Sequence, residues 1–194
     1  MFKYKKMLPF PINLKKKDIK MAKYLITQYG GANGELGAAL RYFSQKFSMP
    51  TDEGRALLND IATEEFGHAE MICVMVHQLL DGATKEELEA NGLTSNYVEN
   101  GYGIYPINSN GVPFTVSYFA SIGDAVADLA EDMAAEEKAR ATYEHLIDIA
   151  EDSELINILL FLRQREVIHY NRFKELYEYY KNKDTKWGLV FFYT

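Results

Sequence analysis

Residues 58–80 read LNDIATEEFGHAEMICVMVHQLL, and the fold follows from what interrupts their apolar stripe. Leu58, Ile61 and Ala62, then Ile72, Val76 and Leu79, recur at three- and four-residue intervals, which is the period of one helix face. The middle of that face carries Glu65 and His68 instead. A carboxylate buried among apolar side chains is strongly disfavoured unless it is paired or takes up a proton. Something must therefore compensate it.

The same anomaly recurs along the chain. In the stretch around FLRQREVIHYNRF, residues 161–173, Leu155, Leu159 and Leu162 lead to Glu166 and His169, and Phe173 and Leu176 follow. Leu129 and Met133 precede Glu136, with Tyr143 and Ile147 beyond it. Glu35 lies seven residues, two turns, before Tyr42, so the two share a face. Glu35 to Glu65 is 30 residues, as is Glu136 to Glu166, and each histidine follows its lone glutamate by 33. The halves read as a duplicated helical hairpin offset by 101 residues.

Glutamate and histidine three apart on a helix lie almost above one another and can reach one object. The order Glu, Glu-x-x-His, Glu, Glu-x-x-His is the ligand pattern of dinuclear carboxylate sites in bundles, where two dications balance the charge. A single Glu-x-x-His is weak, since surface pairs or a buried Glu–His network give the same local pattern. The matched spacings and apolar flanks select the metal reading. On spacing alone, Glu166 is a ligand like Glu65. Tyr42 is read as a hydrogen-bond donor to Glu35 rather than plain core packing. His77 and His145 lack such partners and read as helix-surface or interface residues. Arg140 and Arg165 neighbour the site positions but could equally face water. Cys73 reads as a small buried side chain. GGANGELG lacks the lysine of a phosphate loop and shapes a helix start.

Around these positions the chain organises as an all-α protein. Residues 1–17 form an irregular arm, with Pro9 and Pro11 before Lys15–Lys17. A first amphipathic helix begins near Asp18, breaks at Gly30, Gly31 and Gly34, and resumes to about Phe47. The second runs from about Asp52 to Leu80 with Thr51 as its N-cap. Residues 81–123 hold six glycines and two prolines with a short helical piece near Lys85–Ala90, a long connection of the kind that usually carries function. Asp124 opens a third helix to about Glu151, and a fourth spans Ser153 to about Lys181. The aromatic tail, 182–194, is expected to dock on the body or on a neighbour. Short loops pair the helices and one long crossover joins the pairs, which defines a ferritin-like four-helix bundle over 18–181 with a dinuclear site in its core.

The totals agree. A chain of 194 residues with 47% hydrophobic residues can bury a sizeable core. A net charge of −7 argues against nucleic-acid or anionic-membrane partners. The single cysteine suits a reducing compartment. The basic N-terminus lacks the apolar run of a signal peptide, so cytoplasmic synthesis is expected.

The segments QYGGANGELGAALRYFSQ, DIATEEFGHAEMI, DLAEDMAAEEKARATYE and FLRQREVIHYNRF, with GVPF in the connection, resemble the manganese catalase family. The resemblance spans about residues 18 to 180. It implies two manganese ions, with Glu35 and His68 binding one, Glu136 and His169 the other, and Glu65 bridging them. It implies further that Glu166 sits near the metals and handles protons, which overrides the spacing argument, and that Tyr42 bonds to the first glutamate. It implies hydrogen peroxide as substrate and a homo-oligomer, a hexamer in the family. Two features depart from the family pattern. Only 25 residues follow His169, where many members continue with an extension that wraps a neighbour. Ala135 stands where some members carry an arginine. The short length resembles the manganese-catalase-like proteins of bacterial spore coats, which implies a place in the coat among other coat proteins. The rival readings are a di-iron peroxidase or ferroxidase, since ligand type does not separate iron from manganese, and a structural coat protein whose metal site mainly stabilises it. One cysteine excludes a rubredoxin-like centre within this chain.

Overall fold

The computed structural model describes residues 7–93, 97 and 103–191, with side chains as far as Lys183. Six helices follow in order: α1 Ile19–Gly30, α2 Glu35–Gln45, α3 Asp52–Leu79, α4 Lys85–Ala90, α5 Ala125–Ile149 and α6 Ser153–Phe191. Their starts are set by short polar side chains. Asp18, Thr51 and Asp124 each accept a hydrogen bond from the backbone N–H three residues on, and Thr84 with Glu87 forms a reciprocal capping box on α4. Among the described residues, strand pairing is limited to the isolated Ile107–Pro113 bridge in the crossover. No described helix is long and apolar enough to cross a membrane.

The first long rod of the bundle is α1 and α2 together, both packed along α3. The break between them has a physical cause. A Cβ on Gly30 would lie 2.3 Å from the backbone of Pro106 and of Ile107, so the crossover can seat there only against a glycine. Gly31 then leaves the helix in extended conformation and Gly34 caps α2. Further hydrogen bonds fasten the crossover. Ser109 N donates to Thr27 Oγ1 (2.8 Å), Arg41 to Tyr118 O (2.5 Å) and Gln45 to Ser121 Oγ (2.9 Å). The N–H groups of Ile122 and Gly123 close on the Asp128 carboxylate.

The arm is irregular over its described part and lies along α3. Leu14 N and Ile12 O bracket the Gln78 amide, and Phe10 stacks on Phe161. α6 continues beyond the expected stop at Lys181 to Phe191. No proline follows Lys181, and Gly188 weakens a helix without removing a donor. The docking expected of the tail side chains lies outside the described residues.

Two apolar clusters make the core. One gathers Leu25, Ile26, Ile72, Val76, Leu159 and Leu162. The other gathers Leu58, Ile61, Leu129 and Phe173. The ionisable side chains lie between them.

Candidate metal centre

Each half of the bundle supplies the same set from the same positions. Glu35 is the first residue of α2, Glu65 and His68 lie mid-way along α3, Glu136 lies on α5, and Glu166 and His169 lie on α6. All six are buried, the most exposed by only 2%. Their ligand atoms form two overlapping groups, Glu35, Glu65, His68 and Glu166 in one and Glu65, Glu136, Glu166 and His169 in the other. Within each group these atoms lie within 4.8 Å of one another. Glu65 and Glu166 belong to both groups, which is where a bridge between two cations would stand. They are not equivalent. The Nδ1 atoms of His68 and His169 approach Glu65 to 2.8 and 2.6 Å, whereas His68 Nδ1 is 3.9 Å from Glu166.

Charge makes the arrangement costly by itself. Burial, then the charge of Glu65, pushes the Glu35 carboxyl up to about 8. Burial, then Glu35, Glu65 and Glu136, pushes Glu166 well above the carboxylate range. Burial would raise Glu65 too, but His169 and His68 hold it well below that range. The imidazoles are held charged in turn. Burial disfavours their cationic forms, yet Glu65 foremost, with Glu35 and Glu64, raises His68 well above its usual value. Glu65, Glu136 and Glu64 bring His169 to about 12. Protons thus do locally what cations would do better.

The donor set fits dications on a second ground. Glu65 Oε1, Glu136 Oε2, Glu166 Oε1 and His169 Nδ1 are buried without a hydrogen-bond partner. Glu65 Oε1 and His169 Nδ1 stand 2.6 Å apart yet outside hydrogen-bond geometry. Atoms that converge without bonding to each other are disposed as ligands of a common centre.

Tyr42 is placed differently from expectation. Its hydroxyl donates to Glu136 Oε1 at 2.6 Å, and it is Tyr143 that donates to Glu35. Seven residues of helix rise about 10 Å, so each phenol reaches the glutamate of the opposite helix, and the reciprocal pairing requires α2 and α5 to run antiparallel. Burial, then the neighbouring glutamate, holds both phenols well above their usual range, so both remain donors. Tyr143 is 101 residues after Tyr42, and the duplication offset could have found it.

Glu64 is the other residue the sequence reading passed over. Half-buried, it accepts two bonds from Arg165, at 2.5 and 3.0 Å. It also lies 3.5 Å from His68 Nε2 and 3.2 Å from His169 Nε2. Burial would raise its carboxyl, but those three cations hold it far below the usual range. Arg140 instead pairs with Glu137 and Glu144 on its own helix. His77 and His145 are exposed, and Cys73 is a free thiol of intermediate exposure.

A narrow cavity meets the centre at Glu35, Glu136 and Glu166. Ala38, Ala135, Ala139 and Arg41 also line it, together with the exposed residues Ala32 and Asn33.

Fold and site together define a ferritin-like helical bundle with a buried pair of carboxylate–histidine clusters. The family described as manganese containing catalase matches residues 1–190, and this chain belongs to it. The chain is 50% identical to protein CotJC of Bacillus subtilis over 186 residues, which span 96% of this chain and 98% of that one. It is 34% identical to a probable manganese catalase of Clostridium acetobutylicum, covering 94% of this chain and 82% of the other. The manganese catalase KatB of Anabaena superposes on it with a TM-score of 0.84 at 35% identity, over 93% of this chain and 81% of that one.

Proposed function

We propose that the protein is a dinuclear manganese catalase that converts two molecules of hydrogen peroxide into two of water and one of dioxygen. The observation that carries this reading is the pair of buried clusters sharing Glu65. Glu35 and His68 would hold one ion and Glu136 and His169 the other, with Glu65 shared between them. The ions when bound supply the two-electron oxidation and reduction that the reaction needs, and oxygen-rich ligands suit manganese. Three ligating carboxylates leave two divalent ions with one surplus positive charge, which attracts an anionic oxygen ligand.

The chain supplies the rest. Oxidation of one peroxide to dioxygen releases two protons, and reduction of the other to water consumes two. Glu166 faces both groups and favours its protonated form, so it can hold a proton between the half-reactions and return it. Tyr42 and Tyr143 fix the outer oxygens of Glu136 and Glu35. Similarity to CotJC over nearly the full length of both chains, with the resemblance to the short spore-coat members of the family, supports a place in a spore coat.

The test is oxygen evolution from peroxide by protein loaded with manganese and, separately, with iron. Evolution with manganese alone, lost in Glu65→Ala, is the expected outcome. Turnover with iron alone would move the assignment to di-iron chemistry. Two bound ions with no turnover by either metal would leave a structural role.

A further inference from the structure

The duplication maps every site residue onto its counterpart 101 positions on: Glu35 onto Glu136, Tyr42 onto Tyr143, Glu65 onto Glu166, His68 onto His169. The same offset maps Glu64 onto Arg165. Here alone among residues lining the centre an acid is exchanged for a base, and the two bind each other across the α3–α6 seam.

We infer that Glu64 is a positioning residue that orients both metal-binding imidazoles at once, with Arg165 holding its carboxylate in place. A neutral imidazole that binds a metal through one nitrogen carries its proton on the other. Both Nε2 atoms face Glu64 at ion-pair distances of 3.5 and 3.2 Å and have no other partner among the described residues, though neither contact has hydrogen-bond geometry in the metal-free chain, while both Nδ1 atoms face Glu65 and the interior of the clusters. The Glu64 carboxylate therefore favours the Nε2–H tautomer in both rings and leaves both Nδ1 lone pairs for metal. The rings stack 5.7 Å apart with their planes 22° from parallel, so one carboxylate with two oxygens can serve both. Arg165 takes that carboxylate from the opposite helix through two nitrogens, a fork geometry that fixes its plane. A second carboxylate at 165 would repel the first. The opposed charges thus leave a single acid beside both rings, on the Glu65 side of the seam.

This rests on the metal-centre reading, and the experiment separates the two. Manganese content and affinity are measured by chelator competition on purified wild-type protein and on four variants. In Glu64→Gln both ions are expected to weaken together, by about 10- to 100-fold, because both imidazoles lose the same neighbouring carboxylate charge. Arg165→Glu places like charges together and should do at least as much harm. The exchange E64R/R165E restores one acid and one base, and the pseudo-twofold relation sets the new carboxylate against both Nε2 atoms. It should regain most of the affinity. E64Q/R165M keeps the helices packed without any carboxylate, so it should fold with wild-type thermal stability yet bind manganese as weakly as Glu64→Gln. Unchanged affinity in Glu64→Gln, loss of one ion only, or wild-type affinity in E64Q/R165M would each overturn the assignment. A wild-type protein that takes up no metal would overturn the metal centre itself, and this assignment with it.

Discussion

Stripping the metal should invert the pH dependence that a carboxylate-rich protein ordinarily shows. In the metal-free chain Glu35 titrates near 8 against 4.5 for an ordinary glutamate, and His169 near 12 against 6.5. Both folded values are raised, so the folded state binds these protons more tightly. The associated stability is full below the unfolded values and is lost as pH rises through the folded ones. Glu35 therefore acts between 4.5 and 8, His169 between 6.5 and 12, and the two windows overlap from 6.5 to 8. One excess proton is equivalent to about 1.4 kcal/mol per pH unit. Across that window the two groups together lower stability by roughly 3 kcal/mol. Glu166 and His68 act in the same direction. Glu65 and Glu64 are depressed, so they are ionised in both states above pH 4.5 and add no slope there. For a chain of this size the two groups alone correspond to a fall in Tm of roughly 10 °C between pH 6.5 and 8. The assay is thermal unfolding of chelator-stripped protein across that range, with the manganese-loaded protein alongside. Bound cations displace these protons, so loading should flatten the slope or reverse it and should release protons into the medium. Metal-free protein equally stable at both ends, or more stable at pH 8, would show that the cluster is not compensated by protons.

Three further outcomes follow from named contacts. Tyr143→Phe and Tyr42→Phe each remove a buried donor to a glutamate and should each lower unfolding stability by about 1–3 kcal/mol, in similar measure because the pairs are symmetry-related; thermal unfolding and metal analysis check this. Gly30→Ala would ordinarily strengthen a helix by roughly 1 kcal/mol. Here the added Cβ meets the crossover backbone, and a net loss of about 1–3 kcal/mol is expected by the same measurement. Glu166→Gln should retain both ions by elemental analysis while oxygen evolution falls by about 10²–10⁴-fold; full turnover would remove the proton-carrying role.

The helical stripes were legible because ionisable residues interrupt them. Glu65, His68, Glu166 and His169 announce themselves by breaking an apolar period, and the structure buries all four in one place. Caps at Asp18, Thr51 and Asp124 were readable for a similar reason, since a short polar side chain before an apolar run has few other uses. Tyr143 gave no such signal. An aromatic on a core stripe satisfies the packing pattern, so its hydroxyl passes unremarked until a partner is in view. Glu64 was hidden by its neighbour, because one glutamate beside another on a helix reads as the solvated edge of the stripe. The pairing of Tyr42 was misread because two residues on one face of a helix were taken as partners. The closer partner sits on an antiparallel helix, and its proximity depends on how the two hairpins dock. The seat of the crossover on Gly30 depends on Pro106, a contact no local pattern encodes.

The symmetric and asymmetric parts of the centre do different work. A duplicated hairpin gives two like half-sites, suited to holding two like ions at equal depth, and the reciprocal Tyr42–Glu136 and Tyr143–Glu35 bonds keep those halves matched. Two identical bridging carboxylates would leave nothing free to move a proton, while none would leave the ions unlinked. Splitting the pair into Glu65, approached closely by both histidines, and Glu166, held farther from His68 and disposed to protonate, would resolve that conflict within a symmetric scaffold. The split needs a local difference between the halves. The exchange of acid for base at 64 and 165 is such a difference, lying against both imidazoles and on the seam where the halves meet. A carboxylate at both positions would crowd like charge behind the histidines, and an arginine at both would leave neither Nε2 an acceptor. One of each sets a single carboxylate beside both rings, on the side of the seam that carries Glu65.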